Sequence, residues 1–208
     1  MRILIIAQPR TGSTVFANWL SKELNYKWIN EPFNMYNPSK MVDFLNTDNV
    51  VAKLIFEKNK GEWFYSKSIQ TIDDLLSLNW DFVFILTRDD ISEQAISKAW
   101  ADVNDIWAPT KYKINDDWLI KNDKLIQKRK KEFQKDKDVV KSIKGYQITY
   151  EQIYHTNTIL TDLKNILNIE NFNYVDYLSN ENRYRKPADY IGEDLFDKPK
   201  KKPYISII

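Results

Sequence analysis

The chain opens with an apolar segment, a short turn and a helical pattern in direct succession. Residues 2–7 (RILIIA) carry five apolar side chains, three of them isoleucine, which predicts a buried β-strand. A turn of sequence PRTGST follows, and apolar residues then recur at helical spacing, with Ser13 or Thr14 placed to start the helix. Such a unit directs backbone N–H groups and the positive end of the helix toward one point. It therefore predicts a site for a phosphate or sulfate group.

The turn differs from the P-loop of nucleoside triphosphatases, G-x-x-x-x-G-K-[ST], because it has one glycine and no lysine. Arg10 is the cation near the start of the turn, and its planar guanidinium can grip two oxygens at once. The alternative is an ordinary turn in which Gly12 serves only the backbone and Arg10 is solvated. The turn alone leaves both interpretations open.

A second strand pattern, WDFVFIL at residues 80–86, ends shortly before Arg88. The helical pattern that follows has Asp90 as a plausible N-cap, with Glu93 in the capping-box position. Arg88 is thus expected at the edge where open α/β sheets bind ligands. Ser97 lies roughly 10 Å further along the helix, so it would share an anion with Arg88 only if the chain bends back. Alternatively, Arg88 pairs with one of the two aspartates that follow it, and Ser97 packs.

Five apolar segments predict strands, and helical patterns lie between and after them; the strands are expected near 2–7, 27–30, 50–56, 82–87 and 145–149. A capping box at residues 71–74 predicts a helix reaching Leu78, and one charged helix is expected from Asp116 to Ile143. Alternation of strands and helices predicts the α/β class, as a P-loop-like, three-layer α/β/α fold with a central, mostly parallel sheet. The length of 208 residues and the 43% hydrophobic content favour a single domain spanning residues 1–208.

Composition excludes several classes of protein. The chain has no cysteine, which excludes a disulfide framework, a cysteine-based zinc cluster and a thiol nucleophile. The apolar start is too short for a signal peptide, and no stretch approaches the ~20 apolar residues of a transmembrane helix. We therefore expect a soluble, cytoplasmic protein.

Two segments are strongly basic. Residues 121–144 contain ten Lys or Arg against four Asp or Glu, which fits either a nucleic-acid or anionic surface contact or an amphipathic helix with a solvated lysine face. The net charge of +2 gives little support to nucleic acid, and we expect none as a partner. The tail at about residues 197–208 is basic and is either mobile or helps to attract an anionic donor.

The segments QPRTGST and TRDDISEQAISKAWA, each after a predicted strand, together resemble the sulfotransferases that use 3′-phosphoadenosine 5′-phosphosulfate (PAPS). The spacing is most similar to the bacterial trehalose and glycolipid sulfotransferase branch. That branch carries R-x-D-x-x-x-Q-A-x-S, which is matched here by Arg88, Asp90, Gln94, Ala95 and Ser97. INEPF, VVAKLIF and ITYEQI resemble further segments of the family, in the family's order. The resemblance covers residues 3–153.

The resemblance implies a donor site and a reaction. The turn would hold the 5′-phosphosulfate of PAPS through Pro9, Arg10, Thr11, Gly12, Ser13 and Thr14. Arg88 and Ser97 would bind the 3′-phosphate. Arg183, Arg185 and Lys186 would either form a basic loop that closes over this phosphate or be a basic cluster on the surface. The product would be adenosine 3′,5′-bisphosphate. No metal would be required, because a sulfuryl group carries less charge than a phosphoryl group and N–H donors with Arg10 can suffice.

The resemblance also implies three catalytic residues, namely Arg10 beside the transferring group, Glu31 as the general base and Lys53 near the active centre. Pro32 biases Glu31 toward an extended conformation, and a solvated loop glutamate is the alternative. A lysine inside an apolar strand either meets an anion or guards an edge strand. The only histidine, His155, has no matching place and is expected on a helix surface.

The acceptor is expected to be the hydroxyl group of a small molecule, in particular a carbohydrate or glycolipid, since aromatic faces suit sugars. Candidate platform residues after the Arg88 segment are Trp100, Trp107 and Trp118. Two other function classes stay open, as does a homodimer. One is an ATP-dependent small-molecule or nucleotide kinase with a degenerate phosphate loop. The other is a non-catalytic protein that binds an anion or nucleotide.

Overall fold

The computed structural model describes residues 1–32, 47–56, 71–106, 114–156 and 159–168. Within these ranges the strands and helices alternate as the apolar pattern predicts. Their bounds, in chain order, are β1 Arg2–Ala7, α1 Ser13–Glu23, β2 Lys27–Asn30, β3 Val50–Ile55, α2 Ile72–Leu76, β4 Phe82–Thr87, α3 Ile91–Asn104, α4 Asp116–Ser142, β5 Tyr146–Thr149, α5 Tyr150–Tyr154 and α6 Ile159–Leu167.

The five strands form one sheet in the order β2-β3-β1-β4-β5. Every pair in this sheet is parallel, whereas a mostly parallel sheet was expected. Because all strands run the same way, their carboxyl ends meet at one edge, called here the carboxyl edge. The turns after β1, β3 and β4 therefore lie side by side, with the turn after β1 in the middle.

Helices cover both faces of the sheet, which confirms the α/β class with three layers. On one face, Ile3, Ile5 and other β1 residues pack in a fully buried core with α1, α5 and α6. On the other face, Leu4 and Ile6 pack against α2 and the end of α4. Helix α3 packs along α4 through small alanines and Phe133. The cores on the two faces of the sheet hold β1 in place beneath the turn that follows it.

Some bounds differ from the expectation. Thr71 does form the capping box of α2, but the helix ends at Leu76, where the Ser77 hydroxyl donates a hydrogen bond to the carbonyl of Asp74. The helical pattern around His155 is divided between α5 and α6, and His155 is an exposed residue that caps the end of α5. Within the described ranges, no helix combines the length and apolarity needed to cross a bilayer.

Candidate anion site at the carboxyl edge

The turn after β1 has an unusual backbone. Arg10 and Gly12 both have left-handed φ angles, of 65° and 70°, on either side of the fully buried Thr11. The Thr11 hydroxyl donates to the carbonyl of Gln8 at 2.8 Å, which closes the turn from inside. Left-handed residues in a turn direct successive backbone N–H groups to one side, and such a concavity suits an anion.

Helix α1 begins at Ser13, and Gly12 rather than Ser13 or Thr14 is its N-cap. The expected start of the helix at Ser13 is confirmed, but neither Ser13 nor Thr14 caps it with its hydroxyl group. A glycine cap has no side chain to satisfy the first N–H groups of the helix, and α1 has no side-chain cap hydrogen bond. The positive end of α1 consequently faces the turn without a competing side-chain acceptor at its cap.

Arg10 is directed toward α3. Its Nε donates a hydrogen bond of 2.9 Å to Oγ of Ser97, which is buried. The interpretation of Arg10 as a solvated residue is therefore wrong, and Ser97 meets the site because the Arg10 side chain reaches it. One turn earlier on α3, the buried Gln94 donates through Nε2 to the carbonyl of Pro9 at 2.8 Å. Helix α3 thus holds the turn at two points.

Arg88 lies at the end of β4 with 9% of its side chain exposed. Its Nη2 forms an ion pair with Glu93, its Nη1 is 3.5 Å from the carbonyl of Arg10, and its guanidinium lies 4.2 Å from the ring centroid of Tyr150. The interpretation that Arg88 pairs with Asp89 or Asp90 is wrong. Its Nε is buried and has no hydrogen-bond partner among the described residues.

The pairing of Arg88 with Glu93 also alters the expected capping box. Asp90 caps α3 by accepting a hydrogen bond from the Glu93 N–H at 2.8 Å, as predicted. The Glu93 carboxylate, however, binds Arg88. A buried guanidinium is a stronger partner than a backbone amide, so the second half of the box is lost.

Lys53 lies on the other side of the turn. It is only 3% exposed, and its Nζ lies 3.1 Å from Oε1 of Glu31 and 3.0 Å from Oγ1 of Thr14. The alternative of an edge-strand lysine is wrong, because β3 lies between β2 and β1. Glu31, Lys53 and Thr14 therefore form one contiguous group that joins the candidate base to the first turn of α1.

Glu31 is not extended, although Pro32 follows it. Its φ is 53°, in the left-handed region, so the sequence expectation for its backbone is wrong. The Glu31 N–H donates to the carbonyl of Lys53 at 2.9 Å, and its carboxylate returns to the Lys53 ammonium. These two contacts with one residue outweigh a backbone cost of roughly 1–2 kcal/mol. With 32% of its side chain exposed, Glu31 remains open to a ligand.

Sequence reasoning missed the contribution of α5. The Tyr154 hydroxyl donates to the carbonyl of Gly12 at 2.8 Å, and the rings of Tyr154 and Tyr150 lie 4.6 Å apart. The spacing of the two tyrosines was readable as one helix turn, but not the direction in which they point. Helix α5 is therefore a second support for the turn.

Several expected site residues cannot be placed. Arg183, Arg185 and Lys186, the tail at 197–208 and Trp107 lie outside the described residues. Trp100 and Trp118 belong to one apolar cluster between α3 and α4, where Trp100 is buried. These two tryptophans thus serve packing.

The side chains at the carboxyl edge are chemically suited to bind a dianion. Arg10 and Arg88 approach the amide-lined turn from the β4 side, and Lys53 approaches it from the β3 side. Guanidinium and ammonium groups form short, charge-assisted hydrogen bonds with phosphate or sulfate oxygens. Glu31 supplies a carboxylate at the border of the same site, where it can accept a proton.

No family model matches the chain, and no curated protein matches it significantly.

Proposed function

We propose that this chain is a PAPS-dependent sulfotransferase that moves a sulfuryl group to the hydroxyl of a carbohydrate or glycolipid acceptor. The observation that carries the proposal is the arrangement around the turn of residues 9–14. The buried Lys53 connects this turn to Glu31 on one side, and Arg10 connects it to Ser97 and Arg88 on the other.

The β4 side supports the proposed binding of the 3′-phosphate. Arg88 is charged, buried and held by Glu93 and Tyr150, and it still has an unpartnered Nε among the described residues. A fixed guanidinium loses little conformational entropy when it binds an anion. In this assignment the 5′-phosphosulfate would lie in the turn, at the N-terminus of α1.

The β3 side supports the proposed chemistry. The acceptor oxygen attacks sulfur in line, a new S–O bond forms, and the S–O bond to the donor phosphate breaks. Glu31 takes the proton from the acceptor hydroxyl, while Lys53 and the amides of the turn stabilise the charge on the leaving phosphate oxygen. The products are the sulfated acceptor and adenosine 3′,5′-bisphosphate.

The nature of the donor is tested by thermal shift with adenosine 3′,5′-bisphosphate, ADP and ATP, with and without Mg²⁺. Ligand binding stabilises the folded state by mass action, so the preferred nucleotide gives the largest shift. We expect the bisphosphate to give it without Mg²⁺. A larger shift with ATP and Mg²⁺ would overturn the proposal in favour of a kinase.

Arg88→Ala is the matching variant. It should weaken binding of the bisphosphate by ~1.5–3 kcal/mol, the scale of a charged hydrogen bond, and leave 5′-AMP nearly unchanged. Arg2→Ala is the control, because Arg2 also lies near an aromatic ring, that of Trp80, but stands at the opposite end of the sheet. If Arg88→Ala weakened the binding of both nucleotides equally, Arg88 would not be the residue that binds the 3′-phosphate.

Transfer itself is tested by incubating the protein with sulfur-labelled PAPS and a panel of sugars and glycolipids. Labelled product supports the proposal. Tight binding of the bisphosphate without transfer to any hydroxyl acceptor would indicate a non-catalytic nucleotide-binding protein instead.

A further inference from the structure

Helix α5 contacts the turns after both β1 and β4. Besides the bond from Tyr154 to Gly12, its second residue, Glu151, accepts two hydrogen bonds from the backbone just after Arg88. The two carboxylate oxygens of Glu151 receive the N–H of Asp89 at 3.0 Å and the N–H of Asp90 at 3.2 Å. One carboxylate thus fixes two successive peptide groups.

We propose that Glu151 is a positioning residue that holds Arg88 in the orientation needed to bind the 3′-phosphate of the donor. This inference rests on the function proposed above. Bonds from backbone N–H groups to an ionised carboxylate are stronger than those to a neutral acceptor, and two of them leave the turn little rotational freedom.

The contacts around Arg88 converge on this role. Tyr150, which precedes Glu151 in α5, lies against the Arg88 guanidinium. Two consecutive residues of α5 therefore hold the side chain of Arg88 and the backbone that follows it. From α4, the Lys137 ammonium donates to the Arg88 carbonyl at 3.2 Å and pairs with Asp89 at 3.1 Å. Among the described residues, these contacts hold both the backbone and the guanidinium of Arg88, while its Nε has no hydrogen bond.

A purely structural role as an extra cap of α3 is the competing explanation. Asp90 already caps that helix through the Glu93 N–H. A cap contributes to the stability of the fold but has no reason to separate two nucleotides that differ only in a 3′-phosphate. The ratio of their affinities therefore distinguishes positioning from capping.

The test compares the full-length wild-type chain with Glu151→Gln and with a control, Glu132→Gln. Glu132 is on α4 and pairs with Arg129, away from the turn. Calorimetric titration with adenosine 3′,5′-bisphosphate and with 5′-AMP gives the ratio. We expect Glu151→Gln to weaken binding of the bisphosphate by about tenfold and binding of 5′-AMP by less than about twofold, and we expect both affinities to be unchanged in the control.

Two results would overturn the inference. One is an equal loss of affinity for both nucleotides in Glu151→Gln, and the other is a ratio of the two affinities that is the same in Glu151→Gln as in the control. If Glu151→Gln does not fold, Glu151→Asp replaces it, because the shorter side chain keeps the charge and loses the reach.

A second measurement needs no nucleotide. NMR relaxation of the Arg88 Nε–H group should show a more ordered side chain in the wild type and the control than in Glu151→Gln, and equal order in all three would overturn the positioning role. If the wild type binds both nucleotides equally, the proposed function fails, and this measurement still decides the role of Glu151.

Discussion

The Nζ of Lys53 lies 3.1 Å from Oε1 of Glu31, and this ion pair joins the ends of two neighbouring strands. A lysine that is 3% exposed inside a sheet needs an anionic partner, because an unpaired buried ammonium is strongly unfavourable. Glu31 supplies that charge and is thereby held at the border of the turn. The same contact places a proton acceptor beside the candidate anion site.

Glu31→Gln should lower turnover by roughly 10²–10⁴-fold, because the amide keeps the shape of the side chain and cannot accept a proton as a general base. Affinity for adenosine 3′,5′-bisphosphate should stay within about twofold, since Glu31 would touch the acceptor. Turnover is measured with an acceptor that the wild type sulfates, and affinity by calorimetry. A Gln variant with normal turnover would exclude Glu31 as the base.

The variant also leaves Lys53 without its anionic partner, so its melting temperature must be recorded beside its turnover. Thr14→Val is the control for this disturbance, because it removes another hydrogen bond of Lys53 and leaves the carboxylate in place. If both variants lost turnover equally, the loss would come from Lys53 and not from the base.

The sheet was predictable from the sequence because its strands are continuous apolar runs. RILIIA, VVAKLI and FVFILT are rich in isoleucine, valine and phenylalanine, and strands buried on both faces need such runs. The five strands lie within one residue of their predicted bounds. Arg10, Glu31 and Arg88 were expected at one sheet edge because each follows a predicted strand. Lys53 lies inside β3, and only the family resemblance made it a candidate.

The contacts within the site were not predictable, because tertiary partners decide them. Pro32 acts on Glu31 only through local sterics, whereas two contacts with Lys53 fix the left-handed backbone. Similarly, local pattern assigned Glu93 to a capping box, and the buried Arg88 took its carboxylate. Sequence spacing gives the place of a residue along a strand or helix, but it does not tell which neighbouring residue its charged side chain will bind.

Arg10→Lys should reduce turnover more than donor affinity. The guanidinium can keep its Nε bond to Ser97 while its terminal nitrogens face the donor, and an ammonium cannot do both with fixed geometry. Stabilisation that exists mainly in the transition state is lost from kcat. We expect kcat to fall more than about tenfold and donor affinity by about threefold or less.

Ser97→Ala is the companion variant for Arg10. It removes the hydroxyl that orients the guanidinium and keeps the charge, so its kcat should lie between those of the wild type and Arg10→Lys. Full activity of Arg10→Lys under saturating donor would show that a point charge suffices, and the bidentate role would be wrong.

Asp102 on α3 pairs with Lys98 of the same helix and with Arg129 of α4, and its loss should destabilise the fold. Its carboxylate lies 2.8 Å from Lys98 Nζ and 2.7 Å from Arg129 Nε. Burial lowers the pKa of Arg129, but hydrogen bonds and charges from Glu132 and Asp102 outweigh burial, so the pKa of Arg129 is above its usual value. The Arg129 guanidinium stays charged when Asp102 is removed, and Glu132 still pairs with it.

Asp102→Ala should lower the free energy of unfolding by about 3 kcal/mol, because it leaves the buried Lys98 without this counterion. Glu132→Gln should cost less than about 1 kcal/mol, since it breaks one partly exposed pair. Urea unfolding followed by circular dichroism gives both values. Equal effects of the two variants would contradict the special weight given to Asp102.

Gly12→Ala should destabilise the chain even without a ligand, because the position is unfavourable for a side chain in two ways. Its φ of 70° lies in the left-handed region, which costs a non-glycine residue roughly 1–2 kcal/mol. In addition, a Cβ atom would lie 2.5 Å from Cε2 of Tyr154, whose ring is held by its bond to the Gly12 carbonyl. Overpacking of this kind typically costs a further ~1–3 kcal/mol.

A double-mutant cycle with Tyr154→Ala separates these two costs. Removing the ring relieves the clash and leaves the backbone cost, so Gly12→Ala should cost only about 1–2 kcal/mol in the Tyr154→Ala background. Tyr154→Phe keeps the ring and loses the hydroxyl, so it should retain the clash and cost about 1 kcal/mol by itself. The free energies come from denaturant unfolding at constant pH. If Gly12→Ala had the same cost with and without the Tyr154 ring, the ring would not be what excludes a side chain at position 12, and α5 would not support the turn as its contacts indicate.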